Sequence, residues 1–424
     1  MRFSRVCSLS ALGKSSELGF SSFLVALLIS CPASGQILAH GSEPGETVAL
    51  LPSDQAIFEA GLPRKDLPCS VSERKPQLGF DMRFHAGYEV TIPLSELTGS
   101  GELLTVVFRV FPQNKPGNPS YFVQHFNVPD IPEDAKGDTF LDGVVDLGEG
   151  LYHVDWLMRD RAERICASSW DVDAALSPKD RPVSLFLPPN QIAALEPEPF
   201  FKDSGIRNPT DSDSALNIKL LVNFAPQNAQ SSSLQRTDTD ALVSILKTIE
   251  RDPHVGRISL VAFNMSESRV VYRQEAASEI DFPSLGRALQ TVKLGTVAVQ
   301  HLGEKHRETD FLQNLIHQEL ETSSRTDAVI FAGPKAMLAA DVPQEDLRRI
   351  GDVECPVFYM NYNLNPQAVP WKDSISHAIK AFKGTEYTIS RPRDLWVSTS
   401  EMVNRILREK RTRGLSTAIG GGSR

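Results

Sequence analysis

The hydrophobic pattern of this chain changes near residue 215, and this change constrains its fold more than any other feature. Before it, over residues 69–173, short runs alternate apolar and polar residues, and clusters of glycine, proline and asparagine separate the runs. Alternation with a period of two is typical of half-buried strands, and several short strands at this spacing favour a sandwich. We therefore predict an all-β, sandwich-like domain over residues 69–175, with a hairpin whose turn contains Asp160 and Arg161.

After residue 215, apolar runs alternate with amphipathic segments. The runs that indicate strands are residues 216–224, 257–264, 295–302, 328–332 and 356–362. The segments with helical spacing of apolar residues include residues 238–251, 309–321 and 393–410. Apolar strands separated by helices indicate a mainly parallel sheet with both faces covered. The predicted fold class is therefore a doubly wound α/β domain over residues 215–410, preceded by the β-sandwich.

Three further segments lack a sustained period. Residues 36–68 predict a poorly ordered lead-in with a short helix near residues 54–60. Residues 176–214 are rich in proline and acidic residues and predict a linker, and residues 411–424 predict a flexible Gly/Ser-rich tail.

The N-terminus has the basic, apolar and small-residue order of an export signal. Arg2, Arg5 and Lys14 precede an uncharged run at residues 20–29, and small residues follow at 33–35. The apolar run has about ten residues, whereas a spanning helix needs about 20. We expect residues 1–35 to be a signal peptide and the mature protein to be secreted or periplasmic, without a membrane span. The alternative is a lipoprotein anchored through Cys31, since residues 28–31 fit the loose lipobox pattern.

The charge of the chain bears on its class of partner, and its cysteines bear on its disulfide bonds. A formal net charge of −9 and a pI near 5.6 argue against nucleic acid as a partner. Of the five cysteines, Cys7 and Cys31 lie in the predicted signal. In an oxidising compartment, Cys69 and Cys166 are the natural disulfide pair, and Cys355, in an apolar run, is expected to be a buried thiol.

The second half resembles a von Willebrand factor type A domain over residues 215–410. The resemblance rests on the order of elements: a strand entering a polar loop, a helix, a strand at residues 258–264 followed directly by a hairpin partner at 270–272, a helix, and the strand at 329–332. It implies a metal site with an Asp-x-Ser-x-Ser loop after the first strand, a threonine, and an aspartate before the glycine that ends the fourth strand.

This chain departs from that pattern at both carboxylates. Asn223, Ala225 and Gln227 occupy the first loop, Ala332 precedes Gly333, and only Thr309 matches the threonine. Hard cations prefer charged oxygen ligands, so we expect no metal and no other cofactor.

These observations predict an exported, non-enzymatic protein that binds another protein. In open α/β sheets, ligands bind at the carboxyl ends of the strands. The candidate binding residues are Asn223, Ala225, Gln227, Thr309 and Gly333.

Two alternatives stay open. One is a secreted, metal-assisted hydrolase that uses His301, His306, Asp310 and His317, although a charged loop entering a helix with Thr309 as N-cap explains the same segment. The other is a structural assembly subunit.

Overall fold

The computed structural model divides the chain into two compact units, Met1–Arg181 with Leu185–Pro197, and Pro182–Ser184 with Glu198–Arg424. The structure describes residues 37–39, 50–98, 103–195, 200, 215–228, 231, 233–293, 306–321, 326–349, 353, 355–364 and 372–420. The export signal, Cys31, the strand predicted at 295–302 and His301 lie outside these residues.

The first unit is β-sandwich-like, as predicted. Its elements are β1 (Ile37–Ala39), α1 (Pro52–Ala60), β2 (Arg64–Lys65), β3 (Ser70–Leu78), β4 (Phe84–Pro93), a 3₁₀ turn (Leu94–Leu97), β5 (Leu103–Pro112), β6 (Ser120–Asn127), β7 (Asp138–Leu147), β8 (Gly150–Arg159), β9 (Ile165–Ala174) and β10 (Ile192–Ala194). They form two antiparallel sheets with the strand orders β1-β6-β5-β8-β9-β2 and β10-β7-β4-β3. The predicted hairpin is β8–β9.

The sandwich core follows from the alternation in the sequence. Every second residue of β4 is buried, from Phe84 through Ile92, and the residues between them are partly exposed. Tyr88 of β4 packs on Trp156 of the other sheet with ring centroids 5.2 Å apart. One face of β4 thus supplies the core, as a period of two requires.

A disulfide joins Cys69 to Cys166, which confirms the predicted pair. The Cα atoms are 6.3 Å apart, within the usual range for such a bond. Cys69 directly precedes β3 of one sheet and Cys166 belongs to β9 of the other. The bond therefore ties the two sheets together across a sequence separation of 97 residues.

Two segments outside the predicted sandwich contribute to this unit. Helix α1 buries Ile57 and Phe58 with Val107 and Leu157 on the outer face of the six-stranded sheet. Strand β10, inside the segment predicted as a linker, pairs with β7. A strand of three residues between prolines is too short to produce a periodic signal, which is why the sequence pattern missed it.

The second unit is built on a mixed sheet. Its elements are β11 (Leu216–Asn223), α2 (Arg236–Arg251), β12 (Val255–Asn264), β13 (Arg269–Ala277), α3 (Phe282–Leu289), α4 (Arg307–Glu321), β14 (Ala328–Gly333), α5 (Gln344–Arg348), β15 (Val357–Tyr362), α6 (Ser374–Lys380), β16 (Thr385–Ile389) and α7 (Pro392–Gly420). The strand order is β13-β12-β11-β14-β15-β16. All neighbours are parallel except β12 and β13, which form an antiparallel pair.

Both faces of this sheet are buried. On one face, Leu221, Phe331 and Tyr359 share a core cluster with apolar residues of α4, α5 and α6. The next residues along the strands point the opposite way, and they are buried too, as Leu220 and Ile330 illustrate. Helices α2 and α7 contact each other and the sheet, so the near-continuous apolar strands have the covered surroundings that their sequence predicts.

Helix α4 is fixed to the sheet by a buried ionic contact. The ammonium of Lys219 on β11 donates to Glu319 Oε2 at 3.2 Å and to the Glu319 carbonyl at 2.9 Å. Arg273 of β13 donates to the other carboxylate oxygen at 2.6 Å. This contact sets the position of α4 on the sheet, and with it the position of Thr309 in its first turn.

The end of the chain differs from its prediction. Helix α7 continues to Gly420, so residues 411–420 are helical and do not form the predicted tail. Lys410 anchors this part of the helix by donating to Asp327 at 2.9 Å.

Cys355 is buried, as predicted. Within the described residues, no helix combines the length and the apolar composition needed to cross a bilayer.

Candidate functional site at the carboxyl edge of the mixed sheet

Two of the predicted site residues, Asn223 and Gly333, lie side by side. Asn223 ends β11 and Gly333 ends the neighbouring strand β14. A Cβ atom on Gly333 would lie only 2.7 Å from Cβ of Asn223, and Gly333 has φ +153°. Both facts require glycine at this position, because a side chain would collide with Asn223 and strain the backbone.

The amide of Asn223 has a fixed orientation. Its Oδ1 accepts a hydrogen bond from the backbone N–H of Met265 at 3.1 Å, and Met265 directly follows β12. An N–H group can be met only by the oxygen, which settles the amide assignment. Asn264, which the sequence analysis missed, donates to the Phe224 carbonyl at 2.6 Å. An asparagine inside the apolar run at 260–265 was the available signal.

The loop after β11 is fastened to the end of β15. The hydroxyl of Tyr362 donates to the Ala225 carbonyl at 3.3 Å and to Asp238 Oδ1 at 3.2 Å. Gln227 donates from its backbone to Asp238 at 3.3 Å and from its side chain to Asn363 Oδ1 at 3.4 Å. Burial raises the pKa of Asp238, with hydrogen bonds from Gln227 and Tyr362 opposing that effect. Ala225 and Gln227 therefore hold the loop in place.

Thr309 occupies a different part of this edge. Its hydroxyl donates to the Ala340 carbonyl at 2.7 Å and so joins α4 to the loop that follows β14. Helix α4 begins at Arg307, which places Thr309 inside the first turn and not at the N-cap position. Among the described contacts of Thr309, none involves Asn223 or Gly333.

The five predicted residues are all buried, which changes their role. Asn223 is 1% exposed, and Gln227 and Thr309 are each 6% exposed. A protein partner cannot touch them directly. They position the loops around them instead, and those loops expose other residues, among them Asn228, Ser266 and Met337.

A second polar group lies between β15, β16 and α6. Asn361 donates to Glu386 Oε1 at 2.6 Å, and Ser376 donates to Glu386 Oε2 at 2.5 Å. Asp373 caps α6 by accepting from the backbone N–H of Ile375 at 3.1 Å. Burial raises the pKa of Asp373 to about 6. Asn361 interrupts an apolar run at 357–362, and that interruption is the sequence signal for this group.

The residues at the ends of β11 and β14 do not fit the divalent cation that the von Willebrand resemblance implies. Neither strand ends in a carboxylate, and the side-chain oxygen of Asn223 is already used by Met265. Hard cations need several oxygen ligands, usually with negative charge. The donor set here is neutral and partly consumed.

The segment behind the hydrolase alternative does not gather its ligands in the described residues. His306 and Asp310 are exposed at the start of α4, and His317 bonds to Glu321 Oε1 at 3.0 Å. Eleven residues of helix separate the two histidines by about 16 Å, too far to share one ion. His301 lies outside the described residues.

The sandwich contains a charged cluster that was not predicted from the sequence, formed by Asp81, Arg83, His85 and Asp146 (the His85 cluster). His85 Nδ1 lies 2.8 Å from Asp146 Oδ1, and His85 Nε2 lies 3.1 Å from Asp81 Oδ1. Arg83 contacts the second oxygen of Asp146 at 3.2 Å. His85 of β4 and Asp146 of β7 are cross-strand partners, and Asp81 belongs to the turn before β4.

This cluster is a metal-ligand grouping by composition, but its chemistry favours a proton. Burial opposes protonation of His85, yet its hydrogen bonds to Asp146 and Asp81 outweigh burial and raise the pKa to about 10. Burial also raises the pKa of Asp146, partly offset by His85 and Arg83. With this pKa, His85 is protonated at neutral pH and lies between the carboxyl groups of Asp146 and Asp81. A cation would have to displace that proton beside the positive charge of Arg83.

Comparisons with known proteins show no family for this chain. No family model matches it, and no curated protein does. A point mutant of the PilB minor pilin from Streptococcus sanguinis is similar at 9% identity with a TM-score of 0.28, covering 71% of this chain and 88% of the pilin. A β-glucuronidase from Bacteroides uniformis is similar at 9% identity with a TM-score of 0.17, covering 70% of this chain and 36% of that chain. Such low TM-scores carry no argument about fold or function.

Proposed function

We propose that this chain is an exported, non-enzymatic protein whose second unit is von Willebrand A-like and binds another protein through the loops at the carboxyl edge of its sheet. The two halves of this proposal, the fold type and the binding role, are supported by different observations.

The fold type is supported by the strand order of the second unit. Strand β11 lies in the middle, β12 and β13 follow on one side, and β14, β15 and β16 follow on the other. The reversal of order between β11 and β14 is a switch point, beside which ligands of open α/β sheets bind. The antiparallel pairing of β13 at the edge agrees with the hairpin partner on which the resemblance was based.

The binding role is supported by one observation: buried amide and hydroxyl groups form hydrogen bonds that fix the loops of this edge. Asn264 fixes the loop after β11, Gln227 joins that loop to β15, and Thr309 fixes the loop after β14. Loops that are held before binding lose less conformational entropy when a partner arrives. Met337, on the loop after β14, is 53% exposed and offers an adaptable apolar contact.

Export is supported by the disulfide between Cys69 and Cys166. Such bonds persist in oxidising compartments and are rare in the cytosol. Mass spectrometry of the N-terminus of the mature protein tests this part: a chain beginning near residue 36 supports a cleaved signal, and a lipid-modified Cys31 supports the lipoprotein alternative. An unprocessed chain that stays in the cytoplasm contradicts export.

The binding role is tested by comparing two exposed apolar residues of nearly equal exposure in different units. Leu151 of β8 is 52% exposed, a fraction nearly equal to the 53% of Met337. We expect Met337→Asp to abolish recovery of a partner from the native cell envelope, because a charge would be desolvated at the contact. Leu151→Asp should leave recovery unchanged. Loss with Leu151→Asp alone would place the interface on the sandwich and refute the proposal.

A further inference from the structure

Two buried asparagines at the carboxyl edge each have one polar atom without a partner. Asn223 is 1% exposed and Asn361 is fully buried. Asn223 Nδ2 and Asn361 Oδ1 have no hydrogen-bond partner. Buried polar atoms are normally satisfied, so an unpaired donor and an unpaired acceptor on one edge of the sheet call for an explanation.

The two unpaired atoms point toward the same strand. Asn223 Oδ1 accepts from Met265, which follows β12, so the nitrogen of the same amide is directed away from β12, toward β14. Asn361 Nδ2 donates to Glu386 of β16, so its oxygen is directed away from β16, also toward β14. Both amides therefore face Gly333, which ends β14 between them.

Gly333 ends β14 between the two asparagines and carries no side chain that could serve as a partner for either amide. It is the register partner of Asn361, and Asn223 packs so closely on it that an added Cβ atom would lie 2.7 Å from Cβ of Asn223. Asn223 and Asn361 are two strand spacings apart, about 10 Å between Cα atoms. The unpaired atoms do not reach each other. One small group that accepts from a nitrogen and donates to an oxygen would join them through two ordinary hydrogen bonds.

We propose that the space above Gly333, between Asn223 and Asn361 (the Gly333 gap), binds one neutral hydroxyl group, which is a single water molecule in the isolated protein, and excludes a metal cation. A hydroxyl accepts from Asn223 Nδ2 and donates to Asn361 Oδ1, satisfying both atoms. A cation would satisfy Asn361 Oδ1 but would meet the N–H dipoles of Asn223 from their positive side. This inference does not depend on the identity of any protein partner.

The direct test is a high-resolution crystal structure of the full chain, with and without a Mn²⁺ soak. We expect one ordered oxygen within hydrogen-bond distance of Asn223 Nδ2 and Asn361 Oδ1, and no anomalous peak from Mn²⁺ in the gap. A manganese peak there overturns the proposal. So does an empty gap in which the two asparagines have taken other partners.

A second test converts the gap into a cation site. Asn223→Asp keeps an oxygen for Met265 and replaces the donor that faces the gap with a carboxylate oxygen. We expect Mg²⁺ or Mn²⁺ to raise the Tm of this variant by about 4 °C and to leave the Tm of the unmodified protein unchanged. Asn264→Asp is the matched control, because its side chain bonds to Phe224 and Glu267 and does not face the gap.

The two tests separate the possible outcomes. Stabilisation of the unmodified protein by Mg²⁺ contradicts the exclusion of cations. Equal responses of the Asn223→Asp and Asn264→Asp variants contradict the orientation assigned to Asn223. If Asn223→Asp does not fold, the crystallographic test still decides, because it uses the unmodified chain. If Met337→Asp left partner binding unchanged, the proposed binding role would fail, and this inference would be unaffected.

Discussion

The two units bury polar groups in different ways. The sandwich buries a charged set in which His85 has a carboxylate at each ring nitrogen and Arg83 contacts the second oxygen of Asp146. The edge of the mixed sheet buries neutral amides, and two of them keep one atom unpaired. The charged set stabilises one strand pairing, because both ring nitrogens of His85 have carboxyl partners. An incomplete neutral set leaves a position for a small group.

Removal of the disulfide of the sandwich should have the largest effect on stability. Replacing both Cys69 and Cys166 by alanine should lower the free energy of unfolding of the first unit by about 4 kcal/mol, because the closed loop approaches 100 residues. Calorimetry should show the transition of the sandwich at lower temperature, with the transition of the α/β unit unchanged.

The matched control is Cys355→Ala, which removes a buried cysteine of the second unit that takes no part in the disulfide. It should affect only the second transition. If the double replacement instead lowers both transitions equally, the two units unfold together and the comparison between them fails.

Breaking the His85 cluster should have the next largest effect. Asp146 is 1% exposed, and Asp146→Asn leaves the imidazolium and Arg83 without their buried counter-charge. We expect a loss of about 3 kcal/mol in the unfolding free energy of the sandwich, measured by denaturant titration. Asp142→Asn is the control on the same strand. Its side chain is 52% exposed and pairs with Arg74, so the loss should stay within about 0.5 kcal/mol.

The same cluster predicts a pH dependence in the alkaline range. The pKa of His85 is raised from 6.5 to about 10. Its contribution is therefore fully present below pH 6.5 and is lost as the pH rises through 10. We expect the sandwich to lose on the order of 2 kcal/mol of unfolding free energy over this interval, after allowance for partial exposure.

Two carboxyl groups and a guanidinium lie beside His85. Burial opposes ionisation of Asp81, but the hydrogen bond and the charge of His85 outweigh burial and lower its pKa; burial raises the pKa of Asp146, and Arg83 stays charged. His85→Gln should flatten the profile, whereas His125→Gln should not, because His125 contacts Thr105 and no carboxylate in the described set. An unchanged profile in His85→Gln would assign the pH dependence to another group.

Sequence patterns predicted the structural features that depend on residues close together along the chain. The β8–β9 hairpin, the alternation of strands and helices after residue 215, and the return of β13 beside β12 all follow from local periodicity. The disulfide followed from having two cysteines in the sandwich segment.

Contacts between distant strands could not be predicted in this way. His85 and Asp146 are 61 residues apart and meet only because β4 pairs with β7. Asn223 and Asn361 lie on either side of Gly333 because β14 separates β11 from β15 in the sheet. Pairing order is a property of the whole sheet, and a local period carries no information about it. Burial of Gln227 and Thr309 was missed for the same reason.

The smallest expected effect tests whether Thr309 contacts the partner directly or only supports the loop after β14. Thr309→Val keeps the shape of the side chain but removes the hydroxyl that donates to the Ala340 carbonyl. The loss of one such bond should lower the unfolding free energy of the α/β unit by about 1 kcal/mol, and the sandwich transition should not move. Thr309→Ser retains the hydroxyl and should behave nearly as the unmodified chain.

Binding measurements on the same two variants complete this test. If Thr309 only supports the loop, Thr309→Val should weaken partner binding modestly, because the loop after β14 keeps the hydrogen bond that the Ala336 N–H donates to Asp373. A direct binding residue predicts the opposite combination, with binding abolished and stability unchanged. Abolished binding with unchanged stability would show that the carboxyl edge opens when the partner binds. The buried amide and hydroxyl groups of the α/β unit would then contact the partner, while the His85 cluster of the sandwich would stay buried.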